Sequence, residues 1–292
     1  MIASSPEITA VSAGHVTHDR YGGAIRAGGS AYYGAKVFEA LGARSRLVTV
    51  VGEDFSANDE LAGLAVSRAV SGHTTSFENE YPENIPRRQW VHAVARGVAP
   101  DLLPPDWRRS DVLFLGPVCG EVDAEGWLSA AEAKVVGFGI QGLLKQPGAN
   151  VANGKRPIVK RPVAANLAAF RRVRAAFLSD EDLSLLAPDG FLAALRSVVP
   201  IVVVTRGASG ATIFQGGGEH RVGVFPTRAV DPTGAGDTFA AAFLFALARG
   251  DSVLDAGRLG AAAASIVVEA EAGTALSRVS SAFERAPDVP IL

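Results

Sequence analysis

Four short apolar runs constrain the fold most: Val112–Val118, Val135–Gly139, Ala175–Leu178 and Ile201–Val204. Each has the length of a buried strand. Helical stretches lie between them. Asp123 opens one that carries Trp127 and Leu128, and Ser179-Asp180-Glu181-Asp182 opens another with Leu183, Leu185 and Leu186. Continuous apolar strands alternating with helices predict a parallel sheet covered on both faces. Ile8–Ala13 adds a first strand that ends at Gly14. The expected fold class is α/β, a three-layer α/β/α arrangement with a mainly parallel central sheet. Residues 1–292 are expected to form a single domain, a size that one α/β unit can reach.

Other stretches do not fit that layer. Thr74–Tyr81 and Arg88–Ala95 alternate like two-sided strands, with Pro82–Pro86 as the link between them. They read either as a small sheet outside the main layer or as an edge hairpin of the main one. Residues 57–69 suit a helix. Gly148–Pro162 is basic, carries prolines and lacks periodicity, so it reads as a loop with solvated charges.

Composition limits the function classes. The formal net charge is −2, which provides no basic surface for nucleic acid or membrane. Cys119 is the only cysteine, so no intrachain disulfide can form, and a cytoplasmic setting is expected. The Ala-rich runs 240–248 and 261–268 are too short to span a bilayer, and residues 1–10 lack a signal-peptide pattern. His15, His18 and Asp19 lie close together, but no further cluster completes a structural metal site.

The chemistry concentrates in Asp231-Pro232-Thr233-Gly234-Ala235-Gly236-Asp237-Thr238-Phe239. Strand-like Val222–Phe225 and a Pro226 break precede it, and a strongly helical Ala-rich run follows. Gly234-Ala235-Gly236 therefore falls in a glycine turn that opens a helix. Amides at a helix start lack intrahelical partners and favour anions. Asp237 is the odd feature, a carboxylate beside an anion nest. It reads either as an acidic cap or as a base that takes a proton from a hydroxyl attacking a bound phosphate.

The nine-residue string resembles the second signature of the PfkB family of carbohydrate kinases, the ribokinase-like enzymes. The resemblance implies that Asp237 is the catalytic base and that Gly234, Ala235 and Gly236 form the anion hole. Gly28-Gly29, a helix ending Ala40-Leu41-Gly42 and a strand ending Val51-Gly52-Glu53-Asp54 resemble the first signature. Many sugar kinases carry an Asn where this chain has Tyr32, Tyr33 and Gly34. Gly116–Val122 followed by Val135-Val136 and Ile140-Gln141-Gly142-Leu143-Leu144-Lys145 is similar to the myo-inositol kinase branch, although Gly139 replaces that branch's usual Asp.

The resemblance implies several further roles. Asp19, Gly28, Gly29 and Gln141 would bind the acceptor. Thr205, Gly207, Gly210 and Ser179 would bind the nucleotide. Asp182 would hold the water shell of Mg2+, and Asp231 and Thr233 would hold a monovalent cation, which implies activation by potassium. Segments near 15–30 and 71–99 would form a β lid, through which a homodimer could assemble. The implied activity is ATP-dependent phosphorylation of a hydroxyl on a small sugar or polyol, myo-inositol among them. A nucleoside, fructose or ribose kinase of the same fold stays open, as does a non-catalytic sugar- or nucleotide-sensing module.

Overall fold

The computed structural model describes residues 7–21, 23–80, 88–161, 167–185 and 190–292. In chain order, β1 (Thr9–Ala13) leads to β2 (Thr17–Tyr21), β3 (Ala24–Gly28) and helix α1 (Ser30–Ala40). Next come β4 (Arg44–Gly52), β5 (Ala65–Ser71), β6 (Ser76–Glu80) and β7 (Arg88–Ala93). The middle third holds β8 (Arg109–Leu115), α2 (Ala124–Ala130), β9 (Glu132–Gly139), α3 (Gln141–Leu144), β10 (Lys145–Pro147) and β11 (Arg156–Lys160). After these come β12 (Ala175–Ser179), α4 (Asp180–Leu185), α5 (Phe191–Val198), β13 (Ile201–Thr205), β14 (Ala211–Gln215) and β15 (Gly218–Val222). Helices α6 (Ala235–Arg249), α7 (Val253–Val267) and α8 (Ala282–Arg285) complete the described elements.

Nine strands form the main sheet in the order β15-β14-β13-β12-β9-β8-β1-β4-β5. From β13 to β5 every neighbour pair is parallel, and the β13–β14–β15 end is antiparallel. The four apolar runs all lie here, as their composition predicts. Successive residues face opposite sides of the sheet. In β8, Val112 and Phe114 join the core under α1, α6 and α7, whereas Leu113 and Leu115 join the core that holds Trp127 and Leu195. The order of connection reverses at β1, which sits between β4 and β8. In open α/β sheets, ligands bind outside the strand carboxyl ends at such a point.

A second sheet runs β10-β11-β7-β6-β2-β3. Strands β6 and β7 pair with β2 and β11, so the reading as an edge hairpin of the main sheet fails. Tyr81 and the Pro82–Pro86 link lie outside the described residues, as do Pro162 and Leu186. The two sheets meet at a seam built on Glu121. Its carboxylate accepts from the amides of His15 (3.0 Å), Val118 (2.9 Å) and Cys119 (2.8 Å). The buried His15 ring also bonds Thr75 Oγ1 at 2.9 Å and the Arg96 carbonyl at 2.8 Å.

Three expectations need correction. Residues 57–69 are not a helix: one 3-10 turn, Asn58–Leu61, gives way to the parallel strand β5. Gly63 takes a φ of +87°, which breaks any helix there. The 148–162 segment contains β11, which pairs with β7 through only Arg156 and Pro157. A proline lacks the donor needed to extend a ladder, which accounts for both the short pairing and the missed strand. Finally, strand structure ends at Val222, so Gly223–Phe225 is not part of a strand. Gly223 instead donates to the Pro290 carbonyl at 2.8 Å.

Helix α6 ties the site to the core. Phe243 is fully buried, edge-on to Phe177 at 5.6 Å and stacked near Phe239 at 6.1 Å. Removing such a ring leaves a cavity that close-packed neighbours fill only in part. Phe243→Ala should lower stability by about 3–5 kcal/mol. The midpoint of urea unfolding, read at an unchanged slope, checks it.

Candidate functional site

The site is assembled from strand ends. The segments after β1, β8, β9, β12 and β13 converge with the 231–237 turn on a cleft of about 480 Å³. Asp19, Gly29, Gln141, Ser179, Thr205, Gly207, Thr233, Gly234, Ala235, Gly236 and Asp237 all line it. Gly28 does not, but it packs against Asp19 so closely that a Cβ there would lie 2.2 Å from Oδ2. Gly210 lines an adjoining apolar slot of about 330 Å³. Asp182 faces a smaller cavity of about 80 Å³ shared with Asp237, Ser179 and Gly139.

The turn that opens α6 has a clear physical cause. Gly234 adopts a φ of +79°, which suits glycine, and a Cβ there would meet the Tyr33 ring at 2.2 Å. The same ring lies 2.9 Å from where a Gly273 Cβ would be. Asp231 braces the turn from the other side. Its Oδ1 accepts from the Thr233 amide at 2.9 Å and its Oδ2 from the Ala272 amide at 3.0 Å. Ala272 is held at a φ of +51°, an unusual conformation for a residue with a Cβ. Asp237 is the third residue of the helix. The Thr238 amide starts the helical ladder on the Gly234 carbonyl at 2.8 Å, while the Ala235 amide bends back to the Pro232 carbonyl at 3.2 Å.

One wall of the cleft comes from the small sheet. Thr17, Asp19, Phe77, Asn79 and Gln89 face it. Phe77 and Asn79 are two apart on β6, so they share a face, and Gln89 is the cross-strand partner of Asn79. Gln89 donates from Nε2 to Asn79 Oδ1 at 3.1 Å, while its buried Oε1 has no partner among the described residues. The Thr17 hydroxyl donates to Asp19 Oδ1 at 2.7 Å. Burial pushes the Asp19 carboxyl up to about 6, with the negative charges of Asp237 and Asp231 adding to the shift. The Thr17 hydrogen bond and the Lys145 charge oppose it.

The residues expected to bind a nucleotide divide between the cleft and the slot. Thr205 and Gly207 line both the cleft and the apolar slot, whose walls include Val224, Phe225, Ala261, Ala264 and Val268. At Gly139, a Cβ would meet nothing closer than 3.9 Å, so the strand leaves room for a side chain at the position where the resemblance implies an Asp. Asp182 is almost fully buried. Its Oδ2 accepts from the Ser179 amide at 3.1 Å and its Oδ1 pairs with Lys160 Nζ at 3.1 Å. Its neighbours Asp180 and Glu181 face the cleft. No group of three or more metal-binding side chains occurs among the described residues.

Residues 172–279 match the model of the pfkB family of carbohydrate kinases. Over that stretch the chain is similar to the pfkB carbohydrate kinases. It is 33% identical over 184 residues to inositol 3-kinase of Oryza sativa subsp. japonica, an alignment spanning 62% of this chain and 40% of that protein. A solved pyrophosphate-dependent myo-inositol-1 kinase, converted by mutation into a myo-inositol-3 kinase, superposes with a TM-score of 0.76 at 20% identity, over 95% of this chain and 100% of that one. Arabidopsis thaliana ribokinase, solved with ribose and ATP, gives a TM-score of 0.69 at 19% identity over 96% and 99%. The fold is thus ribokinase-like, a large mainly parallel sheet flanked by helices with a smaller sheet beside it. No described helix is long and apolar enough to cross a membrane.

Sequence reading missed Tyr33, Asn79, Gln89 and Lys145 as lining residues. Period-two alternation in 74–81 would have put Phe77 and Asn79 on one face, but nothing in the sequence says which face meets the cleft. The strained charge of Asp19 yields a test. A carboxyl that titrates near about 4 when unfolded and higher when folded binds its proton more tightly in the native state. That contribution to stability is therefore lost as pH rises from about 4 to 6. Asp19→Asn, uncharged throughout, should be more stable than the parent above pH 6 by about 2–3 kcal/mol, and no more stable below about pH 4. Urea unfolding at both ends of the range checks this; an equal increment at both would remove the buried-charge cause.

Proposed function

We propose that this chain is an ATP-dependent kinase that phosphorylates a hydroxyl of a small cyclic polyol, with myo-inositol the leading acceptor. The observation that carries the reading is the position of Asp237. It stands in the first turn of α6, in a cleft with polar groups of the small sheet on one side and the apolar slot on the other. The orphaned Gln89 Oε1 supports a hydroxyl-rich acceptor, because a buried acceptor atom without a donor is costly. Asp19, once ionised, would take further hydroxyl hydrogens. The apolar slot supports a purine base and hence a nucleotide donor. The sequence likeness to a plant inositol 3-kinase supports the acceptor class.

In this mechanism the small sheet serves as a lid that keeps water from the phosphoryl group. An acceptor hydroxyl lies between Asp19 and Asp237. As its oxygen bonds to the γ-phosphorus, the bond from that phosphorus to the bridging oxygen of ADP breaks, and Asp237 takes the hydroxyl proton. Amides at the start of α6 stabilise charge on the transferred group. Asp180 and Glu181 offer carboxylates at the cleft that fit hydrated Mg2+, which typically keeps several waters and uses one or two carboxylates. When bound, it would neutralise phosphate oxygens. Asp231 and Thr233 would border a monovalent cation site, so turnover in potassium should exceed that in a large organic cation at equal ionic strength.

Two measurements test the reading. Asp237→Asn keeps the size of the side chain and its fitness at a helix start. It should slow turnover by roughly 10²–10⁴-fold while ATP affinity and melting temperature stay near the parent's. Turnover within about threefold of the parent, ~0.7 kcal/mol of barrier, would leave Asp237 as a cap only. Acceptor choice is read by ADP release across myo-inositol, ribose, fructose and nucleosides. Myo-inositol should give the highest kcat/KM. A higher value for ribose or a nucleoside would reject the polyol but keep the kinase, and no ADP release with any acceptor would favour a sensing module.

A further inference from the structure

The charge inventory of the cleft is lopsided. Asp19, Asp180, Glu181 and Asp237 line it, and among the described lining residues the only cationic side chain is that of Lys145. Lys145 is buried, and its positive charge acts on the Asp19 carboxyl. These carboxylates, of which Glu181 pairs with Lys160 at 3.1 Å, oppose the entry of a polyphosphate, so a fixed cation among them has a large electrostatic effect.

The origin of Lys145 adds a second observation. It begins β10, directly opposite Lys160 of β11 in an antiparallel pair. Residues so opposed project from the same face of the sheet, and two like charges there repel. The conflict is relieved by sending the two ammonium groups to different anions. Lys160 pairs with Glu181 and with Asp182, each at 3.1 Å. Lys145 points into the cleft instead. The hairpin is held to the small sheet by Lys155, which pairs with Glu78 at 2.8 Å and Glu80 at 2.9 Å, both on β6. An ion-paired arm therefore carries a lysine that simple burial disfavours into a cleft of carboxylates.

The geometry points to Lys145 as a catalytic residue that contacts the terminal phosphate of the donor and stabilises the charge on it during transfer. This rests on the kinase reading above. The inference goes beyond the aspartate and the helix-start amides, because it assigns the cationic contact to an arm of the small sheet. A lysine suits the task as a compact point charge for phosphate. It also ties donor binding to the sheet that covers the acceptor.

The test uses the full chain with two readouts, one independent of turnover. The first is calorimetric titration of inorganic tripolyphosphate in magnesium buffer, a probe that lacks the base and needs no acceptor. Lys145→Met should weaken its binding tenfold or more, and Lys145→Arg, which keeps the charge, should recover most of that loss. The second is steady-state kinetics with the acceptor that gives the most ADP release. Lys145→Met should lower kcat 10²–10³-fold with the acceptor KM changed less than threefold, and Lys145→Arg should recover at least tenfold of kcat. If Lys145→Met does not fold, Lys145→Gln carries the same readings. Unchanged tripolyphosphate affinity overturns the assignment. So does a normal kcat with a raised acceptor KM, which would make Lys145 a reader of the acceptor. A parent enzyme inactive on every acceptor would refute the kinase reading, and the tripolyphosphate titration would still decide the contact.

Discussion

The contact between the Tyr33 ring and the backbone at Gly234 underlies the whole site. A side chain at 234 would collide with that ring, and the backbone there turns left-handed. The turn is thereby set at one angle, and α6 leaves it toward the interior. Phe239, Phe243 and Leu244 then lock the helix into the core shared with α1 and α7. Asp231 ties the opposite side of the turn to Ala272. The backbone that carries Asp237 is thus supported by packing on three sides, which suits the role proposed for it.

The same cleft collects more negative charge than a folding optimum would choose. Asp19 is buried near Asp237 and Asp231, and its carboxyl is pushed up accordingly. A strained ionisable group in a cleft is a common mark of function over stability. The likeness of residues 172–279 to pfkB carbohydrate kinases agrees with the proposed phosphoryl transfer, which depends on placing charge more than on covalent chemistry.

Much of this was legible in the sequence. The apolar runs at 112–118, 135–139, 175–178 and 201–204 became β8, β9, β12 and β13, because a strand buried on both faces leaves no doubt in its composition. The Gly234–Gly236 turn opening an Ala-rich helix was equally plain, since a left-handed turn and a long helix each leave a local mark. The parts that escaped depend on partners far away in sequence. Strand β5 was hidden because Gly63 and the residues around it show no strong periodicity, and only pairing with β4 makes them a strand. β11 was hidden by Pro157 and needs β10 and β7 to exist. Tyr33 and Lys145 were visible as residues, but their neighbours across the cleft lie 201 or more and about 126 positions away. Residue roles in the cleft thus come from tertiary assembly, as the Asp182 pairing with Lys160 also illustrates.

The Glu121 seam has a mechanical side. Three backbone donors from His15, Val118 and Cys119 meet on one carboxylate, and the His15 ring adds bonds to Thr75 and Arg96. Separating the sheets there would break several hydrogen bonds at once. Lys160 fastens the far end of the small sheet as well, through Glu181 and Asp182. Anchored at both places, the small sheet resists displacement as a body more than the bending of any one of its strands.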